Sequence, residues 1–155
     1  MASEPVRIPG PKLDEQLCFA LYSASLAMTK AYRPLLEALG LTYPQYLVMM
    51  VLWERDAQTV SELGERLHLD SGTLTPLLKR LESAGLVDRS RLPDDERRVV
   101  VQLSPAGRAL RTRAGTLPAR LARLTGCSAA ELAQLRRRLL QLRDAIAEAS
   151  GDGVS

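Results

Sequence analysis

Hydrophobic positions along the chain follow two rhythms. From Asp14 to Leu39, residues Leu17, Leu21, Ala24, Met28, Ala31 and Leu35 recur in alternating steps of four and three, which predicts a long helix with a heptad seam. Pro34 is expected to kink its last turns and Gly40 to end it. Thr42 and Pro44 open a second helix to about Arg55, and Thr59-Val-Ser-Glu62 reads as a capping box before a short third helix to Leu67. Asp70 or Ser71 caps a fourth, whose Leu74, Leu77, Leu78 and Leu81 form one apolar stripe that Gly85 stops. The period then drops to two. Leu86 to Ser90 reads as a strand, Pro93 to Glu96 as a turn, and Arg97 to Leu103 as a second strand with Val99, Val101 and Leu103 on one face. Ser104-Pro105 opens a fifth helix carrying Leu110, Ala114, Leu117, Leu121 and Leu124. Ser128-Ala-Ala-Glu131 is a capping box for a sixth, with Leu132, Leu135, Leu139, Leu142 and Ile146 in heptad steps.

The expected fold is mainly α with a small β-wing. A helix-helix-helix-strand-strand unit at 42–103 is flanked by heptad helices at 13–41 and 104–150. A loose arm covers 1–12 (Pro5, Pro9, Gly10, Pro11), and a loose tail follows Ser150. Three seams exceed what a small middle unit can cover. They pack on one another within the chain or, the reading favoured here, meet a second copy in a homodimer.

The order of the middle unit is that of a winged helix-turn-helix, with a turn at His68-Leu69-Asp70 between its last two helices. The non-core face of the fourth helix is Ser71, Thr73, Thr75, Pro76, Lys79 and Arg80. Small hydroxyls suit approach to base edges and the two cations suit phosphates, although a solvated polar face would read the same way. Arg89 and Arg91 precede the strand turn and Arg97 and Arg98 follow it, with acids at the tip; Asp95 is placed to orient Arg97 toward a narrow minor groove. A compensated hairpin loop is the plainer alternative.

A net charge of +3 and a basic set that is mostly Arg are compatible with nucleic acid without proving it. A single histidine and two distant cysteines do not make a structural zinc site, and His68 reads as a helix-end residue. Phosphate-cradling glycine strings are missing, so no cofactor is expected. Neither a membrane span nor a leader pattern occurs, so a cytoplasmic location is expected, where Cys18 and Cys127 are not a structural disulfide by default. Cys18, early in the first helix, is either a small core residue or a reactive thiol. Tyr32 is 14 positions on, about 21 Å along the helix, and reaches a cysteine only on a neighbouring chain. Tyr43 and Tyr46 straddle Pro44 at the next helix start.

Asp95-x-Arg97, then Leu103-Ser104-x-x-Gly107, after Leu81-x-x-x-Gly85-Leu86-Val87, resembles the signature of the MarR family of bacterial transcription regulators over roughly residues 13 to 148. That resemblance implies a dimer binding palindromic operator DNA, usually as a repressor, with a recognition helix at about 70–84 and a wing arginine at Arg97. The strings Leu13-Asp-Glu-Gln-Leu-Cys18-Phe-Ala-Leu-Tyr22, Tyr32-Arg-Pro-Leu-Leu and Leu41-Thr-Tyr43-Pro-Gln-Tyr resemble the organic-hydroperoxide-resistance regulators within it. This closer resemblance implies that Cys18 senses organic hydroperoxides, that Tyr32 and Tyr43 hydrogen-bond it across the dimer, and that Cys127 is a resolving cysteine, unless Cys127 is incidental. Two rivals remain. A MarR-type repressor could instead release DNA on binding a phenolic or other small ligand. A thiol peroxidase would use the same cysteine, but it lacks a partner motif and leaves the winged unit unexplained.

Overall fold

The computed structural model describes residues 3–5 and 8–151; the arm and tail expectations that fall on 1, 2, 6, 7 and 152–155 lie outside the described residues. Among the described residues seven α-helices and three strands follow in the order α1 (Leu17–Glu37), α2 (Tyr43–Glu54), β1 (Gln58–Thr59), α3 (Val60–Leu67), α4 (Ser71–Ser83), β2 (Val87–Leu92), β3 (Asp95–Leu103), α5 (Pro105–Ala114), α6 (Leu117–Thr125) and α7 (Ala129–Ala149). The mainly helical, winged architecture is the one the hydrophobic rhythm implies.

Several boundaries differ, each for a local reason. Leu13–Glu15 form a separate 3-10 turn and Gln16 is extended, so α1 starts three residues later than expected. Pro34 sits inside α1 without interrupting it, and Gly40 (φ +70°) ends the segment as its neighbour Leu41 N–H donates back to Leu36 O. Thr59 caps α3 by accepting the Glu62 N–H, but the Glu62 carboxylate turns away to Arg55 at 2.8 Å, so only half the predicted capping box forms. The predicted fifth helix is two. Pro118 has no N–H for the Ala114 carbonyl, and beside Gly115 the helix breaks at Gly115–Thr116. β1 escapes a periodicity search because it has two residues; it pairs antiparallel with β3 (Gln58↔Val101) and gives the sheet order β1-β3-β2.

One hydrophobic cluster runs from Leu36 and Leu39 through Val48, Met49, Leu63, Leu74, Leu78, Leu81, Val87 and Val101 to Leu110 and Leu117. Polar ties lock its edges. Gln58 is buried and caps the end of α2, its Nε2 donating to Val51 O and Arg55 O. Asp56 accepts the N–H of Ala57 and of Leu103, both at 2.8 Å, and meets Arg108 of α5. Trp53 Nε1 donates to Gly107 O at 2.9 Å, and Ser104 Oγ donates to Gly85 O and accepts the Gly107 N–H. Gly107 is obligatory: a Cβ there would lie 2.1 Å from Leu86 O, a backbone atom that cannot swing away. Gly64 plays the same part in the α3–α4 turn, where a Cβ would lie 2.7 Å from Leu69 O. His68 ends α3 in the left-handed conformation, its N–H on Gly64 O.

The heptad seams differ in how far they enter that cluster. Leu110, Ala114, Leu117 and Leu121 are buried across the α5–α6 break. Leu17 and Met28 of the α1 seam, Leu26 beside it, and Leu135, Leu139 and Ile146 of α7 are exposed, and α7 buries no residue. Among the described residues no helix is long and apolar enough to cross a membrane.

Candidate nucleic-acid interface and thiol sites

Asp70 starts α4 as its N-cap, with Oδ1 accepting the Thr73 N–H at 2.7 Å, and that bond holds the carboxyl below its usual range. Because Leu74, Leu77, Leu78 and Leu81 all turn into the core, helical geometry puts Ser71, Thr73, Pro76, Lys79 and Arg80 on the exposed side. Thr75 is half-buried and its hydroxyl donates to Ser71 O at 2.8 Å. Pro76 is accommodated within a continuous α4. Lys79 and Arg80 make no ion pair among the described residues, so this face offers two uncompensated cations behind a row of small residues.

At the wing, register slips between Arg91 and Leu92, which pairs with Asp95. Asp95 Oδ1 accepts the Arg97 N–H at 3.1 Å and lies 3.6 Å from Arg97 Nε. The structure thus brings Asp95 and Arg97 together while the Arg97 side chain stays 95% exposed. Arg91 Nη1 donates to Glu96 O, bracing the hairpin from the other strand.

One acid that the pattern reading passed over is Glu82. Its carboxylate accepts the Arg89 N–H and the Arg89 guanidinium, both at 3.1 Å, and these bonds hold it below the usual carboxylate range. The signal in the sequence was only an acid seven positions before an arginine, across a helix end that hides their proximity. Asp56 and Trp53, which tie α2 to β3 and α5, were likewise not legible from spacing.

The two thiols are free and exposed. Cys18 is the second residue of α1, flanked by exposed Leu17 and, one turn on, exposed Tyr22. Tyr32 and Tyr43 are brought together, with ring centroids 5.1 Å apart, and Tyr46 completes the group 5.9 Å from Tyr32 and 6.3 Å from Trp53. Burial, then the neighbouring Tyr43 and Tyr46, pushes the Tyr32 hydroxyl up to about 12, and burial raises Tyr43 and Tyr46 too. All three therefore remain O–H donors at neutral pH. Within one chain Cys18 and Tyr32 are 14 residues apart on the same straight element, about 21 Å, so these groups do not form a site by themselves. Cys127 lies between α6 and α7. Its N–H donates to Thr125 Oγ1 at 3.1 Å and its thiol to Thr125 O at 3.7 Å.

Residues 41–99, from just ahead of α2 to the middle of β3, match the MarR family. The organic hydroperoxide resistance transcriptional regulator of Bacillus subtilis (strain 168) is 47% identical over 135 residues, 87% of this chain and 92% of that protein. Reduced AbfR bound to DNA, from a protein of Staphylococcus epidermidis, superposes with a TM-score of 0.72 at 34% identity, covering 88% of this chain and 96% of that one. Disulfide-formed AbfR gives a TM-score of 0.58 at 35% identity, over 84% and 91%. These relatives are regulators rather than enzymes, and their likeness takes in α1 and the outer helices as well as the winged unit. The chain belongs to the MarR family of transcriptional regulators.

Proposed function

We propose that this regulator is a cytoplasmic, homodimeric repressor that releases a palindromic operator when Cys18 is oxidised by an organic hydroperoxide. The observation that carries the reading is the position of Cys18: an exposed thiol on an apolar stretch of α1 that none of the described residues covers. In the dimer, residues 13–41 and 104–150 form the association region and 42–103 the DNA-binding unit, with 1–12 as an arm. The exposed leucines of α1 and α7 are the surface a second copy buries. A second chain also brings its Tyr32 and Tyr43 to Cys18, where two phenolic donors stabilise the thiolate. The likeness to a hydroperoxide-resistance regulator and to a protein solved in reduced and disulfide forms supports this chemistry.

On DNA, the α4 face (Ser71, Thr73, Thr75, Pro76, Lys79, Arg80) enters the major groove and Arg97, oriented by Asp95, enters the adjoining minor groove. The thiolate attacks the outer peroxide oxygen, the O–O bond breaks, and the alcohol leaves with a proton; the cysteine becomes a sulfenic acid. The thiol of Cys127 from the other chain then displaces water to form a disulfide. Bridged cysteines need Cα atoms about 4.4–6.8 Å apart, so closing that distance turns the DNA-binding units.

The test is Cys18→Ser. The variant is expected to bind operator as wild type does and to stay bound under cumene hydroperoxide; release by peroxide despite the substitution would remove Cys18 from the sensor. Oxidised wild type should run as a covalent dimer on a non-reducing gel, whereas Cys127→Ser should stop at the sulfenic acid or a mixed disulfide.

A further inference from the structure

Two elements face DNA in the reading above, α4 and the β2–β3 wing, and one acidic side chain joins them. β2 is an edge strand. β3 pairs one side of it, from Val87↔Leu103 to Arg91↔Val99, and among the described residues no strand pairs the other. The Arg89 N–H therefore has no strand carbonyl on that open side. Glu82, in the last turn of α4, supplies the acceptor: Oε2 takes the Arg89 N–H and Oε1 takes Arg89 Nη2, each at 3.1 Å. One carboxylate stands in the place of a neighbouring strand and grips both the backbone and the side chain of a single residue. Arg89 Nε is buried without a partner, so no second acceptor shares in holding this guanidinium at that nitrogen. Beyond the clamp, a cleft of about 230 Å³ lined by Glu82, Arg89, Ser90, Arg91 and Val99 lies between the helix and the wing.

We propose that Glu82, through Arg89, is a positioning residue that fixes the angle of the wing to α4 and so sets the preference of the protein for the DNA flanking its operator. This rests on the DNA-binding reading above. The geometry makes the angle consequential. Arg97 lies near the far end of the hairpin, roughly 15 Å from Arg89 at about 3.3 Å per residue. A pivot of about 5° at the base displaces its tip by more than about 1 Å, enough to lose a groove hydrogen bond. α4 would keep its place, because its leucines are anchored in the core by α2 and α3 as well as by the base of the sheet, and the pivot spares that base.

Duplexes selected by the full-length chain from a randomised pool are compared with the same duplexes in which only the A·T steps under the wing are changed to G·C. Wild type is expected to prefer the A·T flanks by on the order of tenfold, the scale of one narrow-groove arginine. Glu82→Gln, which keeps the side-chain shape, and Glu82→Ala are expected to lower that preference to about twofold or less. The penalty for a changed base pair under α4 should stay within about twofold of wild type. Arg97→Ala should lose the same preference, and Glu82→Ala with Arg97→Ala should be no worse than Arg97→Ala alone. An unchanged flank preference in both Glu82 variants, or an equal loss on every duplex, overturns the clamp alone. A wild-type protein that selects no duplex, or is blind to the flanks, overturns the wing reading and the clamp with it.

Discussion

α4 and α7 each carry a stripe of leucines and meet opposite fates. α4 has 13 residues and buries four leucines, with Leu74 and Leu78 at 0% exposure. α7 has 21 residues, a full capping box at Ser128 and Glu131, and no buried residue; its Leu135 is 54% exposed. An amphipathic pattern fixes which side of a helix is apolar, not what covers it. For α4 the cover comes from the same chain, through α2, α3 and the sheet. For α7 it has to come from elsewhere, and the stability of the winged unit should be separable from the association of the outer helices.

The strongest challenge to that separation is a charge in the α7 seam. Leu135→Asp combined with Leu139→Asp should cost on the order of 4 kcal/mol or more of association free energy, since unpaired charges would enter an apolar interface. Sedimentation should show a monomer whose helical content matches wild type. A dimer of unchanged affinity would mean that this face is not the interface. The converse cut is Leu78→Ala, which should lower unfolding free energy by about 2–5 kcal/mol through lost burial and a cavity, with the association constant of the folded protein unaffected. Trp53→Phe probes the seam between the two regions. Losing the Nε1–Gly107 bond together with part of the indole packing should cost at least about 0.5–1.5 kcal/mol in denaturant unfolding, and a zero effect would say that neither the bond nor the larger ring stabilises the seam.

The smallest effect concerns pH. Tyr32 is neutral in the folded chain up to about 12, above the ordinary phenol value near 10. A raised folded value means that the contribution is full below the unfolded value and fades as pH climbs from there through about 12. Tyr32→Phe should flatten that alkaline decline in melting temperature. An identical alkaline slope in both proteins would leave burial of this phenol without consequence for stability.

Most of the architecture was legible because helices and strands impose different periods on the same alphabet. What escaped was local and polar. β1 is too short to have a period, and it exists because Gln58 and Thr59 find β3. The α5–α6 break was readable from Pro118, but the heptad seam runs straight across it: Leu110, Ala114, Leu117 and Leu121 remain buried on one side, which is why the pattern concealed the interruption. Glu62 illustrates competition, since an arginine took the carboxylate that a capping box would have used. At the candidate sites, spacing placed Asp95 beside Arg97 on one hairpin and Tyr43 and Tyr46 at one helix start, whereas the packing of Tyr32 against both within the same chain came only with the fold. Glu82 and Arg89 belong to different elements, and only the packed fold makes them neighbours.

The attachments of α5 define it as a handle. Its first turn is fastened to the winged unit at Ser104, Gly107 and Arg108, and its last turn is hooked to α1 where Arg113 donates to Ala38 O at 2.6 Å. Ten helical residues make a rod about 15 Å long, gripped at one end by the DNA-facing lobe and at the other by the helix that carries Cys18. Gly107 admits no side chain, so the near end of the rod lies directly on the backbone at Leu86, where the wing begins, and a turn of the far end would be felt there first.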